Sequence, residues 1–153
     1  MIKIIFLFLL SVNIFANIYN IEDISESLNL KKVFVEKLKK NNIVTTNDFL
    51  FINKTSKDRA YNAKKYKLKI KELNRIVSTF DLLRVKGIGP TVAKLFIAAN
   101  IKSIREFQTS DIKKLEKKLI EVNKKLKLSP FTPNRENLEV WKNLALKLKI
   151  VIL

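Results

Sequence analysis

The sequence predicts an all-α protein, and three observations carry that expectation. Glycine and proline are scarce, at two and three in 153 residues, too few for a sheet protein with many tight turns. From residue 20 onward the apolar residues recur at helical spacing with no sustained alternation. Helix-start signals then punctuate the pattern. Thr45-Thr-Asn-Asp48, Thr55-Ser-Lys-Asp58 and Ser103-Ile-Arg-Glu106 read as capping boxes, in which a hydroxyl takes a first-turn N–H and the acid reaches back. Thr132-Pro133 places a cap residue before a proline at the first helical position. A hydrophobic fraction of 47% is enough for a buried core.

The caps Thr45 and Ser103 are 58 positions apart, and the same offset relates other residues. Asp23 matches Asp81, Ile24 matches Leu82, Leu30 matches Ile88, Val35 matches Ala93 and Leu38 matches Phe96. Asn42-Ile43 matches Asn100-Ile101, and Phe49 matches Phe107. A duplicated unit of helix, turn, helix, turn and capped helix explains the series. Asn42 and Asn100 would each end a helix in the left-handed conformation that Asn tolerates.

Residues 82–93, Leu-Leu-Arg-Val-Lys-Gly-Ile-Gly-Pro-Thr-Val-Ala, read as a helix-hairpin-helix turn. Arg84 to Lys86 close one helix and Pro90 opens the next. Gly87 and Gly89, the two glycines of the chain, permit positive φ and close backbone approach. Ile88 points inward, and Val92, Ala93 and Phe96 continue an apolar face. The free N–H groups of Gly89 to Val92 and the helix dipole form an anion site. The candidate phosphate-binding residues are therefore Lys86, Gly87, Ile88, Gly89, Thr91, Val92 and Lys94. Asn29 and Lys31 stand opposite the two glycines, so the first copy is expected to have lost its tight turn. The alternative is that the turn only joins two helices or binds protein. A dinucleotide fingerprint is rejected, because there is no third glycine and no preceding strand.

The fold expected is thus two tandem helix-hairpin-helix-like units, the first degenerate, packed as one compact helical domain. The units are residues 17–79 and 80–153, the second ending in a C-terminal helix. Residues 1–16 precede them as a signal peptide: Lys3 near the start, an apolar run Ile4 to Leu10, and a small residue, Ala16, at the cut. The alternatives are a buried helix or an anchor formed by residues 4–16, although that stretch is short for a span. Export places the protein in the periplasm or outside the cell.

Lys and Arg total 31 against 14 acids, a net charge of +17. Such an excess suits a polyanion: nucleic acid, anionic membrane or acidic polymer. Lys, Ile and Asn are abundant together, which is also what an AT-rich genome imposes. With no Cys and no His, thiol catalysis, disulfides, common zinc sites and His-based triads are excluded. No catalytic residue, metal ligand or cofactor is expected, and Glu22, Asp23 and Glu26 read as a helix start. Tyr61, Tyr66 and Trp141 read as core or partly buried rather than as stacking platforms. The run Lys64 to Lys69 reads as a solvated helix surface. Lys113, Lys114, Lys117 and Lys118 form a basic stripe opposite Ile112, Leu115 and Leu119, a weaker phosphate candidate than the turn. The apolar end Ile150 to Leu153 reads as packed on the core.

From Phe80 to Leu148 the chain resembles the family catalogued as domain of unknown function 4332. The resemblance rests on Asp81 to Pro90, on Ala99-Asn100-Ile101, where that family usually has Gly in place of Asn100, and on Pro133 followed by Trp141. Residues 17–79, with Asp58-Arg59, are similar to the preceding half. The resemblance implies an all-helical double helix-hairpin-helix fold and supplies no activity. By analogy, related helix-hairpin-helix proteins bind double-stranded DNA, and some exported ones serve DNA uptake. The expected function is non-enzymatic, non-specific binding of double-stranded DNA through backbone phosphates. The alternative is an envelope structural or protein-interaction module with an envelope protein partner. Attachment to anionic lipid or cell-wall polymer stays open as a third reading.

Overall fold

A computed structural model describes residues 16–153. Among them are nine α-helices: α1 Ile21–Ser25, α2 Lys32–Lys40, α3 Thr46–Phe51, α4 Ser56–Tyr66, α5 Ile70–Leu83, α6 Pro90–Ala98, α7 Ile104–Thr109, α8 Ile112–Leu126 and α9 Arg135–Ala145. The one β-type pairing among these residues is an isolated antiparallel bridge, Asn20 to Thr45. The expected leader lies outside the described residues apart from Ala16, which packs partly buried against the core.

The capping signals do what their chemistry requires. At α3 and α4 the Thr45 and Thr55 hydroxyls accept from the N–H groups of Asp48 and Asp58, and each Asp carboxylate accepts from its Thr N–H. At α7 Ser103 accepts from the Glu106 N–H, while Glu106 reaches one residue further back to the N–H of Lys102. The start of α9 corrects an expectation. Its cap is Asn134, which forms a box with Asn137, and not Thr132. The Thr132 hydroxyl instead accepts from the Asn123 side chain.

The 58-residue offset maps α2 onto α6 and α3 onto α7 end for end. Asn42 and Asn100 have φ of 58° and 69°, the left-handed termination expected of both. The N–H groups that follow, on Ile43 and Ile101, donate to Leu38 and Phe96, themselves equivalent positions. The packing repeats as well: α3 and α4 lie against α5, as α7 and α8 lie against α9. Helix α5 crosses position 79/80, so it closes the first unit and opens the second. One core results. Phe49, Phe80, Phe96, Phe107, Leu38 and Leu73 are fully buried in it, and Phe49 meets Phe80 edge-on at 5.2 Å between centroids.

The chain's end runs past the end of α5 and onto the first unit. Arg84 Nη2 donates to the Lys149 carbonyl at 2.8 Å, Arg59 Nη2 to the Leu153 carbonyl at 3.1 Å, and Leu153 N–H to Lys54 at 2.9 Å. Ile150, Val151 and Ile152 pack partly buried, as expected, while Leu153 is exposed. Tyr66 is buried, but Tyr61 is exposed, against the expectation of burial. It sits on the outer face of α4, whose buried positions are Asn62, Ala63 and Tyr66.

Candidate nucleic-acid interface

The turn between α5 and α6 is built from its buried side inward. Val85 and Ile88 are fully buried, and Ile88 N–H donates to Val85 at 3.0 Å. Asp81 and Arg84 form an ion pair at 2.8 Å, each side chain only 5% exposed. A buried charge pair stands only if its remaining groups are also bonded. Here Asp81 Oδ2 accepts from the N–H of Ile104 at 2.8 Å, and Arg84 reaches Lys149. The pair thus ties α5 to the start of α7 and to the chain's end. Asn17 N–H donates to the Arg84 carbonyl at 2.9 Å, which adds the chain's entry to the same knot.

The two glycines have different reasons to be glycine. Gly87 has φ of 100°, and a Cβ there would collide with the Trp141 indole, 2.9 Å from Cδ1. It is required by conformation and by packing. Gly89 has φ of −91° and ψ of 176°, extended backbone open to any residue, and nothing lies within 4 Å of where its Cβ would be. The expectation that both glycines serve positive φ is corrected for Gly89. The fold makes no use of its missing side chain.

Gly89 is the N-cap of α6 and Pro90 its first residue. The Gly89 carbonyl accepts from Ala93 at 2.9 Å, and no acceptor among the described residues takes the N–H groups of Thr91 and Val92. Lys86 and Gly87 are exposed at the mouth of the turn, and Thr91 is half-buried. The Val92 and Ile88 side chains are buried, so these two would contribute main chain only. Lys94 is engaged elsewhere: its ammonium donates to the Ser27 carbonyl at 3.0 Å. That bond sets the α1–α2 turn beside α6.

The first turn keeps one feature of the second. Asn29, opposite Gly87, has φ of 54°. The left-handed residue is retained with Asn in place of Gly, while the hydrogen bonding of the turn differs: Leu30 N–H donates to Ser25, where Ile88 N–H donates to Val85. Lys31, opposite Gly89, is the N-cap of α2 in an extended conformation.

Helix starts normally carry a capping side chain or a first-turn acid, because their N–H groups and dipole need negative charge. Seven of the nine helices have one or both, such as Asn20 at α1, Asp111 at α8 and Glu72 in α5. Helices α2 and α6 have neither. They are the two that follow the equivalent turns. The N-terminus of α2, with Lys31 and Lys32, was not singled out from sequence. The signal was there: the offset maps it onto Gly89 and Pro90, and no Ser, Thr, Asp or Asn stands at the cap.

The basic stripe of α8 is displayed as expected. Lys113, Lys114, Lys117 and Lys118 are exposed, while Leu115 and Leu119 are buried. Among the described residues no group of acids could hold a metal ion, and no helix is long and apolar enough to cross a membrane. No curated protein and no solved structure matches the chain significantly. The family model described as Domain of unknown function (DUF4332) matches residues 28–148, most of the chain, and the protein belongs to that family.

Proposed function

We propose that this protein is a non-enzymatic helix-hairpin-helix protein that binds double-stranded DNA through its backbone phosphates. The observation that carries the reading is the pair of bare helix starts, α2 and α6, at equivalent places in the two units. A helix start without cap or acid suits an outside anion. Gly89 adds to this, since its open Cβ position leaves room for a phosphate against the Thr91 and Val92 N–H groups. Lys86 and Thr91 flank one start, and Lys31 and Lys32 the other. The net charge of +17 supplies long-range attraction. Contacts of this kind carry no sequence information.

Export by residues 1–16 belongs to the same proposal, and N-terminal sequencing of the protein recovered from its cells tests it. Retardation of a duplex by the purified protein across a salt series tests the binding. The affinity should fall steeply with salt, and the slope counts the phosphates engaged. No retardation at low salt would overturn the reading and favour an envelope protein partner.

A further inference from the structure

At the other end of the α5–α6 pair lies a groove of about 680 Å³, between the first turns of α5 and the α6–α7 turn. Its volume is that of a small-molecule site, about 300–1,000 Å³. Most of its lining is hydrocarbon, with Ile70 and Ile97 in the wall, and Lys69, Lys71, Arg75 and Lys102 stand around it. One carboxylate, Glu72, accompanies the four cations. None of the three ion pairs among the described residues involves any of them. Lys71 and Arg75 are one turn apart on α5, so both heads emerge on one helix face.

The first unit has a much smaller cavity at part of the equivalent wall. Positions 39 and 44 correspond to 97 and 102. The cavity beside them, lined by Lys39, Val44 and Glu22, has about 10 Å³. Lys39 bridges it to Glu22 at 2.9 Å, and the carboxylate holds the Lys39 ammonium above its ordinary pKa, chiefly through that hydrogen bond. The second unit has Ile97 in place of that lysine and Phe80 in place of that acid. Its groove is open, apolar inside and rimmed by cations without carboxylate partners.

The geometry points to a binding site for an anionic amphiphile, a small molecule with one acidic head on an apolar body. The head would meet Arg75 and Lys102 while the body lies against Ile70 and Ile97. An acidic head gains from more than one cation at once, and the apolar body gains from leaving water. The site stands apart from the proposed phosphate contacts. At 1.5 Å per residue, the first turn of α5 is about 20 Å from the α5–α6 turn.

The test is titration of the full protein with monomeric dodecanoate, followed by backbone amide NMR. Saturable shifts at Ile70, Arg75, Ile97 and Lys102 are expected. Dodecan-1-ol should bind about tenfold more weakly, because it lacks the charge that the cations meet. Acetate should leave those amides unmoved. The doubly exposed change R75E with K102E should weaken dodecanoate about tenfold and leave the helical circular-dichroism signal intact. I97K, which copies the first unit, is a second variant with the same expected direction. Equal affinity for the alcohol, or shifts centred elsewhere, would overturn the inference. So would adsorption only to phosphatidylglycerol vesicles, unaffected by either variant, which would mark a general lysine surface. Duplex retention by R75E/K102E separates failure here from failure of the DNA reading.

Discussion

The backbone N–H groups that open α3 and α7 occupy equivalent positions and are satisfied by different chemistry. Thr46 N–H donates to the Tyr19 carbonyl at 2.9 Å, and the Thr46 hydroxyl accepts from Tyr19 N–H, so the first unit is closed by main chain running alongside. Ile104 N–H donates instead to the Asp81 carboxylate, and that carboxylate requires Arg84. Asp23, which corresponds to Asp81, is exposed, and Glu26 stands where Arg84 does. One architecture therefore uses neutral backbone pairing in one copy and a buried ion pair in the other. The pair joins three segments, α5, α7 and the chain's end, where the backbone solution joins two. Its fragility is the price of that reach.

The largest expected difference breaks this comparison directly. D81A should destabilise the protein by about 3–5 kcal/mol, since it strands Arg84 as an unpaired buried charge. D23A at the matched position should stay within roughly 0.5 kcal/mol. Urea denaturation of both variants measures the gap, and similar midpoints would show that Asp81 is not the anchor.

The turns give the next contrast. G87A places a side chain at φ of 100° and against Trp141, which should cost about 3 kcal/mol. N29G relieves a left-handed Asn at φ of 54° and should change stability by only a few tenths of a kcal/mol. Thermal unfolding of the two variants should separate them clearly.

At the helix starts the contrast turns into a likeness. G89D and K31D each place a capping carboxylate at a bare N-terminus. Stability should hold or rise by about 0.5–1 kcal/mol. Under the proposed function, duplex binding should fall about tenfold for either, as one charge-assisted phosphate contact is lost. A loss from G89D alone would confine the grip to the second unit. Unchanged binding in both would remove the phosphate sites from the reading.

The smallest effect is in acid. Thr45 N–H, and at Asp58 first the Thr55 hydroxyl at 2.7 Å, hold the Asp48 and Asp58 carboxyls below their usual range. Asp111, capping α8 through Lys114 N–H, is lowered as well. A lowered folded pKa means that the stabilisation is full above the unfolded value and disappears as pH falls through the folded one. Loss should therefore begin near pH 4 and continue downward. D48N with D58N should flatten the acid limb of a stability profile more than D111N, because two of the three groups belong to the first unit.

What the sequence made legible was local or periodic. Thr45-Asp48 and Thr55-Asp58 are complete within one helical turn, so their chemistry is written in four residues. The 58-residue offset made the equivalence of α2 and α6 legible, and the tolerance of Asn at helix ends the left-handed Asn42 and Asn100. What stayed hidden depended on distant partners. Asp81 and Arg84 stood out as a motif, but their burial follows from α7 and Lys149, remote in sequence. The hydrogen bond from Lys94, a phosphate candidate, to Ser27, 67 residues away, was not legible either. Asn134 displaced Thr132 at α9 because Asn123 claimed the threonine. For the candidate site, the turn was visible but the divergence of Gly87 and Gly89 was not, since it depends on the backbone conformation of each and on the distant Trp141.

Helix α5 belongs to both units, and this bears on how the molecule comes apart. A chain of two independent modules would melt in two steps. Here the first unit cannot release α5 without stripping α6 of its packing partner, and the second cannot unwind the Asp81 end without loosening the helix that α3 and α4 cover. Unfolding should be all-or-none. Trp141, the single tryptophan, reports on the second unit alone, whereas far-ultraviolet circular dichroism averages over both. Coincident midpoints from the two signals are the signature of one cooperative transition.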